Sequence, residues 1–281
     1  MEIGSLRIFH AVAETGRVSS AAQQLNCVQS NVTARLKNLE NELGTLLFHR
    51  MPKGMALTPA GKTLYSYSQR ILTLLNESII AVKNDGNHHG PLSLGAFESS
   101  TSYWLPSVMA NFHSVYPHVE LSLKIGTEED LLNGLLQYSL DGIFITRETY
   151  NREIEQVVAF QDELVLVTPR DVTDPLQMKD PTQLVFSKPC AFRDRLDLWL
   201  KNHKRPAARS IELGSVNGII GCVAAGMGLS MILRSSAERA CRAGEIRIHD
   251  IPKELATLPI YFLYRKDSAE NKRLQAFRDF F

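Results

Sequence analysis

Apolar residues recur every three or four positions through the first eighty or so residues, and that spacing predicts a run of helices. Leu6, Phe9, Val12 and Ala13 mark the first, closed by Gly16. Ala21, Ala22 and Leu25 share one face of a second, short helix, with Ser19 or Ser20 placed to cap its start. A polar turn, Asn26-Cys27-Val28-Gln29, leads into a third helix whose stripe is Val32, Leu36, Leu39 and Leu43, ended by Gly44. Leu46-Leu47-Phe48-His49-Arg50 then reads as a strand of a two-stranded hairpin that turns at Pro52-Lys53-Gly54. Thr58 and Pro59 read as the N-cap and first residue of a further helix. That helix runs to about Asp85, with Leu64, Ile71, Leu74, Leu75, Ser78 and Val82 along an approximately heptad seam. At about 1.5 Å per residue it would be some 40 Å long, too long to bury its seam on a small headpiece. A second copy of the chain is the expected partner for the seam; packing on the chain's own C-terminal half is the alternative.

Two short helices joined by a tight polar turn, followed by a hairpin with a basic tip, suit a winged helix-turn-helix whose second helix enters the DNA major groove. Gln29, Ser30, Asn31, Thr33 and Arg35 lie off the apolar stripe, toward the N-terminal end of that helix, where short amides, hydroxyls and a guanidinium reach base edges or phosphates. Spacing alone leaves a plain helical hairpin with solvated polar residues equally open. Four further segments separate the two readings: Phe9-x-Ala11-Val12-Ala13-Glu14-x-Gly16, Ala21-Ala22-x-x-Leu25, Leu39-Glu40-x-x-Leu43-Gly44-x-x-Leu47-Phe48-x-Arg50, and Leu57-Thr58-x-Ala60-Gly61. With these the first 61 residues closely resemble the LysR-type transcriptional regulators. The resemblance implies that residues 29–35 face operator DNA, with Ser19 beside them, and that Arg50 and Lys53 on the wing touch the minor groove or the backbone. It also implies that the long helix dimerises antiparallel, that the assembly is a homotetramer, and that RNA polymerase is a candidate partner. One departure stands out: Thr33-Ala34 occupies the place of a common Ser-Arg pair, with the basic side chain at Arg35 instead. Any operator sequence known for a relative therefore does not carry over.

Residues 84–91, Asn-Asp-Gly-Asn-His-His-Gly-Pro, are polar and glycine-rich and end in proline, the composition of a boundary between domains. The His88-His89 pair reads as solvated linker, since no further His or Cys lies at ligand spacing, and no metal or cofactor is expected. Beyond Pro91 strands and helices alternate. Leu92–Phe97 is expected as a strand, Ser99–Tyr116 as a helix, Val119–Ile125 as a strand, Glu128–Tyr138 as a helix and Leu140–Ile145 as a strand: a βαβαβ unit on a parallel sheet. Strands follow at Val157–Phe160, Leu164–Thr168, Leu184–Phe186, Ser210–Leu213 and Leu229–Leu233, with helices at Arg193–His203 and Val216–Ala225. A returning strand, Pro259–Tyr264, and a C-terminal helix, Ala269–Phe281, close the chain. Two α/β lobes joined by crossing strands resemble the periplasmic-binding-protein type 2 fold of LysR effector domains. The expected organisation is a DNA-binding domain over 1–58, a linker helix over 59–85, a hinge linker over 86–91 and an effector domain over 92–281. Within the last, one lobe spans about 92–161 with 266–281 and the other about 162–258, hinged near Glu163–Val165 and Leu258–Ile260.

In such sheets ligands sit at the carboxyl ends of the strands, over helix N-termini. That logic selects Ser99, Ser100 and Thr101 as hydrogen-bond donors to an anionic or polar small-molecule effector, with Thr127, Cys190, Arg193 and Asn217 in support. The hydroxyls could equally cap their own helix, and Arg193 could pair with Asp194 or Asp197. Phe97 and Trp104 are expected in the core. Cys190, near a helix N-terminus and Arg193, has the surroundings that lower a thiol pKa; with Cys222 it offers an alternative reading as a thiol-based redox sensor.

Charge refines the picture. Residues 1–85 hold nine basic and six acidic side chains, while the 281-residue chain as a whole is only +1, so the basic excess sits in the DNA-binding segment. The four cysteines have no regular spacing, the first segment is amphipathic rather than a continuous apolar run, and the uncharged stretch Gly218–Leu233 is too short to span a bilayer. A cytoplasmic protein with no membrane association is expected. An enzyme is not: Gly226-Met227-Gly228 follows a helix and precedes a strand, the reverse of a dinucleotide-binding loop, and no nucleophile elbow, zinc-protease motif or phosphate loop occurs. Residues 91–281 taken alone would also fit a solute-binding protein; the first 85 residues argue against that.

Overall fold

The structure, a computed structural model, describes residues 1–52, 54–82, 89–205 and 209–281. Lys53, His88 and the segment expected to end the long helix lie outside the described residues. The chain divides into two compact units, Met1–Asn87 with Leu136–Ser139, and His88–Leu135 with Leu140–Phe281.

The first unit holds α1 (Ile3–Thr15), α2 (Val18–Gln24), α3 (Gln29–Leu43), the antiparallel hairpin β1 (Phe48–Met51) and β2 (Gly54–Leu57), and α4 (Pro59–Val82). Gly16 and Gly44 close α1 and α3 in the left-handed conformation, φ +66° at both, which costs glycine no Cβ clash. Phe9, Val12, Ala21, Val32, Leu36 and Leu39 from the three helices bury together with Leu47 and Phe48 of the hairpin. The two alanines bring α2 close to its neighbours, and each fully buried large side chain contributes about 1.5–3 kcal/mol. Thr58 caps α4 as expected: its Oγ1 accepts the Gly61 N–H at 3.0 Å and donates to the Leu46 carbonyl at 2.8 Å. Gly61 must be glycine, because a Cβ there would lie 2.1 Å from the Leu47 carbonyl oxygen.

Two local expectations differ. Helix α2 starts at Val18 with Arg17 as an extended N-cap, so Ser19 and Ser20 are already inside the helix and neither caps it. Leu43 is 41% exposed and leaves the core. The end of α3 is held instead by Glu40, whose Oε1 accepts the N–H of Leu47 at 2.8 Å and of Phe48 at 3.4 Å, tying the hairpin to the helix. On α4, Leu64, Tyr65 and Ser68 face the headpiece, while Tyr67, Ile71, Leu74 (50%) and Val82 (87%) are exposed in the single chain.

The second unit is a mixed sheet with helices packed on it. Its first half comprises β3 (Gly90–Ala96), a 3-10 turn (Glu98–Ser102), α5 (Trp104–Val115), β4 (Val119–Ile125), α6 (Glu128–Leu136) and β5 (Gly142–Ile145). Then come the long β6 (Ile154–Pro169), β7 (Thr182–Val185), α7 (Ala191–Asn202), β8 (Ser210–Glu212), α8 (Val216–Ala224), β9 (Gly228–Leu233), α9 (Arg234–Arg242), β10 (Ile246–His249), α10 (Lys253–Ala256), β11 (Thr257–Arg265) and α11 (Lys272–Arg278). The strand order is β4-β3-β5-β11-β6-β9-β7-β8, with β10 also on β6. Strands β3, β4 and β5 run parallel, as do β7, β8 and β9, and the antiparallel pair β6–β11 joins the two groups.

The two strands expected at 157–160 and 164–168 are one strand. Its polar stretch Gln161-Asp162-Glu163 marks the place where β6 changes neighbours, from β11 at Glu163↔Thr257 to β9 at Leu164↔Leu233. A loss of apolar residues there signals a gap between cores rather than a strand end. Beyond it Leu164 and Leu166 bury on one face and Val165 and Val167 on the other, hence the unbroken apolar run. The helix expected over 99–116 is split at Tyr103 (φ −138°, ψ −74°). Pro106 explains the split: it has no N–H to give and its ring would meet the carbonyl of Ser102 in a continuous helix. The C-terminal helix is shorter than expected, starting after Asn271, whose Oδ1 accepts the N–H of Arg273 and Leu274. Helix α9 was not expected; only Ala237 and Ala240 of it are buried, too little apolar pattern to register.

Candidate nucleic-acid interface and ligand cleft

In the first unit the start of α2, the outer face of α3 and the hairpin enclose a concavity of about 670 Å³. Gln29, Thr33 and Lys37 reach it from α3, spaced by four residues and so displaced by only about 40° per step around the helix. Arg17 and Ser19 come from the start of α2, and His49 and Arg50 from β1. Arg17, Lys37 and Arg50 face a single acid on the rim, Glu40, whose Oε1 accepts from two backbone N–H groups, so the surface carries an excess of positive charge. Thr33 Oγ1 donates to the Gln29 carbonyl at 2.9 Å, holding the methyl and hydroxyl in a fixed rotamer.

Of the expected DNA-facing residues, the fold brings together Ser19, Gln29, Thr33 and Arg50. Ser30 and Asn31 are exposed on the first turn of α3 but do not line the concavity. Arg35 turns the other way. Its Nη1 lies 3.3 Å from Glu2 Oε2 and would touch a Cβ at Gly4, so it bridges α3 to the start of α1. Lys53 is outside the described residues. Arg17, Lys37 and His49 were not expected. Lys37 was within reach of spacing, four residues beyond Thr33 and eight beyond Gln29; Arg17 and His49 arrive only through the packing of α2 and the hairpin.

The second unit contains a cleft of about 330 Å³. It lies over the carboxyl ends of both parallel groups: Phe97 and Glu98 follow β3, Gly126 and Thr127 follow β4, Thr146 follows β5, Phe186 follows β7, and Leu213 follows β8. Ser99, Thr127 and Cys190 line it, as expected. Ser100 and Thr101 do not. Their hydroxyls donate to the carbonyls of Phe97 and Glu98, capping their own 3-10 turn. Arg193 turns out of the cleft to Glu212 Oε1 at 2.5 Å and the Phe186 carbonyl at 3.4 Å, rather than to Asp194 or Asp197. Asn217 is exposed away from the lining. Trp104 is in the core, stacked on Phe160 with centroids 4.0 Å apart, but Phe97 faces the cleft, edge-on to Phe192.

The acidic residues of the cleft were not anticipated. Glu98 Oε2 accepts the Val216 N–H at 3.0 Å, linking the loop after β3 to the start of α8. Glu128 Oε1 accepts from Thr146 N and Oγ1, and its Oε2 lies 3.4 Å from Arg147, which also pairs with Asp194 of α7 at 2.6 Å. Thr127 Oγ1 donates to Asp130 Oδ2 at 2.7 Å. These charges alter the expectation for Cys190. Burial pushes its thiol above the ordinary value, Glu128 and Asp194 push the same way, and the N–H groups of Arg193 and Phe192 only partly offset this. The thiol is protonated at neutral pH, and the lowered pKa that a sensor cysteine requires is absent. Among the described residues no cluster of His, Cys, Asp or Glu could hold a metal ion, and no helix is long and apolar enough to cross a membrane.

Both units match known families. Residues 3–62 match the bacterial regulatory helix-turn-helix proteins of the lysR family, and residues 85–281 the LysR substrate binding domain. The chain is 38% identical over all of its length to the uncharacterized HTH-type transcriptional regulator YusT of Bacillus subtilis, covering 95% of that protein. It is 39% identical over 99% of its length to the HTH-type transcriptional regulator SoxR of an Arthrobacter species, again covering 95% of that protein. Among solved structures, full-length CbnR complexed with its target DNA superposes with a TM-score of 0.71 at 25% identity, with 100% of this chain and 98% of that one covered. A concave, cation-rich helix-turn-helix face, a ligand-sized cleft at the strand ends and these full-length likenesses agree: the chain belongs to the LysR family of DNA-binding transcriptional regulators, a non-enzymatic family with an effector-binding domain.

Proposed function

We propose that the regulator reads an operator in double-stranded promoter DNA with Gln29, Thr33 and Arg50, positioned by phosphate contacts from Arg17, Lys37, Ser30 and Asn31, and that a small molecule in the cleft of the second unit sets how that surface is presented. The observation that carries the reading is the convergence of α3, the start of α2 and the hairpin on one basic concavity. Exposed Tyr67, Ile71, Leu74 and Val82 on α4 support pairing of two chains through that helix, with a pair of such dimers as the assembly on DNA and RNA polymerase as the downstream partner in the cytoplasm. The effector acts by its differential affinity for two arrangements of the lobes, with β6 and β11 as the shared strands about which they move. The test is fluorescence anisotropy with the duplex upstream of the regulator's own gene against random duplex at about 0.15 M salt, a condition in which exposed charges are screened beyond about 8 Å. A specific preference of tenfold or more, lost on Gln29→Ala, is expected; equal affinity for both duplexes overturns the reading.

A further inference from the structure

The charge lining the cleft names the chemical class of its ligand. Glu98, Glu128 and Asp130 line it, and no Lys, Arg or His does. The nearby cations are committed elsewhere, Arg147 to Glu128 and Asp194, and Arg193 to Glu212. Of the acids, Glu128 has both oxygens engaged, whereas Glu98 and Asp130 each use one, leaving Glu98 Oε1 and Asp130 Oδ1 without a partner among the described residues. Three helices begin at the cleft: α7 carries Asp194 in its first turn and has the N–H groups of Phe192 and Arg193 turned to Cys190, and the starts of α6 and α8 disfavour a carboxylate ligand. The first turn of α6 already carries Glu128, Glu129 and Asp130, and the first N–H of α8 is held by Glu98. Independently of the acids, Ser99 is only 2% exposed, lines the cleft, and makes no side-chain hydrogen bond among the described residues. Its Oγ is not among the enclosed polar atoms that lack a partner, so it opens to the cleft and is available to a polar ligand atom. The apolar part of the wall includes Phe97, Phe186, Phe192 and Leu213, with Thr146 and Ser187 as further uncharged polar residues. The volume of about 330 Å³ is at the lower end for small-ligand pockets.

Resting on the reading of this cleft as the effector site, we propose that the effector is a small organic cation, an ammonium group on an apolar body, with the ammonium N–H groups donating to Glu98, Asp130 and Ser99 Oγ and the body against the phenylalanines. A metal ion is not the occupant, since among the described residues these carboxylates form no metal-holding cluster.

Three isosteric probes separate the charge classes: 3-methylbutylammonium, 3-methylbutanoate and 3-methylbutan-1-ol, titrated calorimetrically into the full-length protein, with operator affinity followed in parallel. The ammonium is expected to bind at least about tenfold more tightly than either analogue. Glu98→Gln and Asp130→Asn, both near-isosteric, each weaken it about ten- to hundredfold, as loss of a charged hydrogen-bond acceptor does. Glu245→Gln, exposed and outside the cleft, leaves it unchanged. Unaltered thermal midpoints of the variants exclude misfolding as the cause. If the carboxylate or the alcohol binds as tightly as the ammonium, the cation assignment is overturned while the cleft remains the effector site. If none of the three binds, the assignment is also overturned. Leu213→Trp, which fills the cleft, then separates the two ideas: a changed operator affinity keeps the cleft as the regulatory site, and an unchanged one removes it too.

Discussion

Replacing Lys37 by alanine distinguishes the surface seen in the fold from the one that residue spacing alone suggests. Lys37 stands in the concavity with Gln29, Thr33 and Arg50, whereas Arg35, the basic residue that spacing favours, is paired with Glu2 on the far side of α3. If Lys37 neutralises one phosphate per headpiece and two headpieces bind, the variant releases two fewer counterions. The slope of log K against log salt then becomes shallower by about 1.8, at about 0.9 per phosphate. Between about 0.05 and 0.2 M salt, a fourfold change, that slope difference amounts to about twelvefold in relative affinity. The loss should be nearly equal on operator and random duplex, because a phosphate contact carries no base information. Arg35→Ala should leave the slope within about 0.3 of the parent value while lowering stability slightly, since an exposed ion pair contributes about 0–1 kcal/mol. The assay is anisotropy titration of a labelled operator at four or so salt concentrations. An unchanged slope for Lys37→Ala, or a larger change for Arg35→Ala, refutes the assignment of the concavity as the DNA face.

Three further outcomes are expected. Glu40→Ala leaves the N–H groups of Leu47 and Phe48 without their acceptor and should cost about 1–3 kcal/mol in urea unfolding, with Glu40→Gln recovering most of it; an effect below about 0.5 kcal/mol would contradict the clamp. His10, stacked on Tyr65 and 3.3 Å from Glu14, is held below its ordinary value by burial, which Glu14 only partly offsets. Its folded pKa is therefore below its unfolded one, so its contribution is present above about pH 6.5 and is lost as pH falls through the folded value. The urea midpoint of the parent should fall between about pH 7.5 and 5.5 by more than that of His10→Gln, and parallel curves would refute this. Cys190 should react with a thiol reagent slowly at neutral pH and speed up only well above the ordinary thiol range, because burial holds it protonated; rapid modification at about pH 7 that maps to Cys190 would restore the redox-sensor reading.

The helices and strands were largely legible because each carries its own local signal. The stripe Val32-Leu36-Leu39, the αL glycines 16 and 44, and the Thr58-Pro59 start are statements about neighbours in sequence. Glu40 shows the limit: it was visible within a family-like motif, but its task is to accept from Leu47 and Phe48, which spacing does not disclose. Breaks were harder to read than elements. Pro106 split a helix that its apolar positions would have continued, and Gln161-Asp162-Glu163 hid the continuity of β6.

What the sequence by itself determined is the order of elements and the identity of the two functional regions, because hydrophobic period, capping and turn chemistry act over a few residues. Only the tertiary structure decided which side chains face a ligand. Arg35 and Arg193, both counted on as cations for binding, are each neutralised by an acid distant in sequence, Glu2 and Glu212, while Arg17, Lys37 and His49 are gathered onto one surface from three separate elements. The carboxylates of Glu98, Glu128 and Asp130 meet in the cleft only because parallel strands deliver their loops to the same end of the sheet. Charge at a site is a sum over groups close in space, and sequence separation says little about which groups those are.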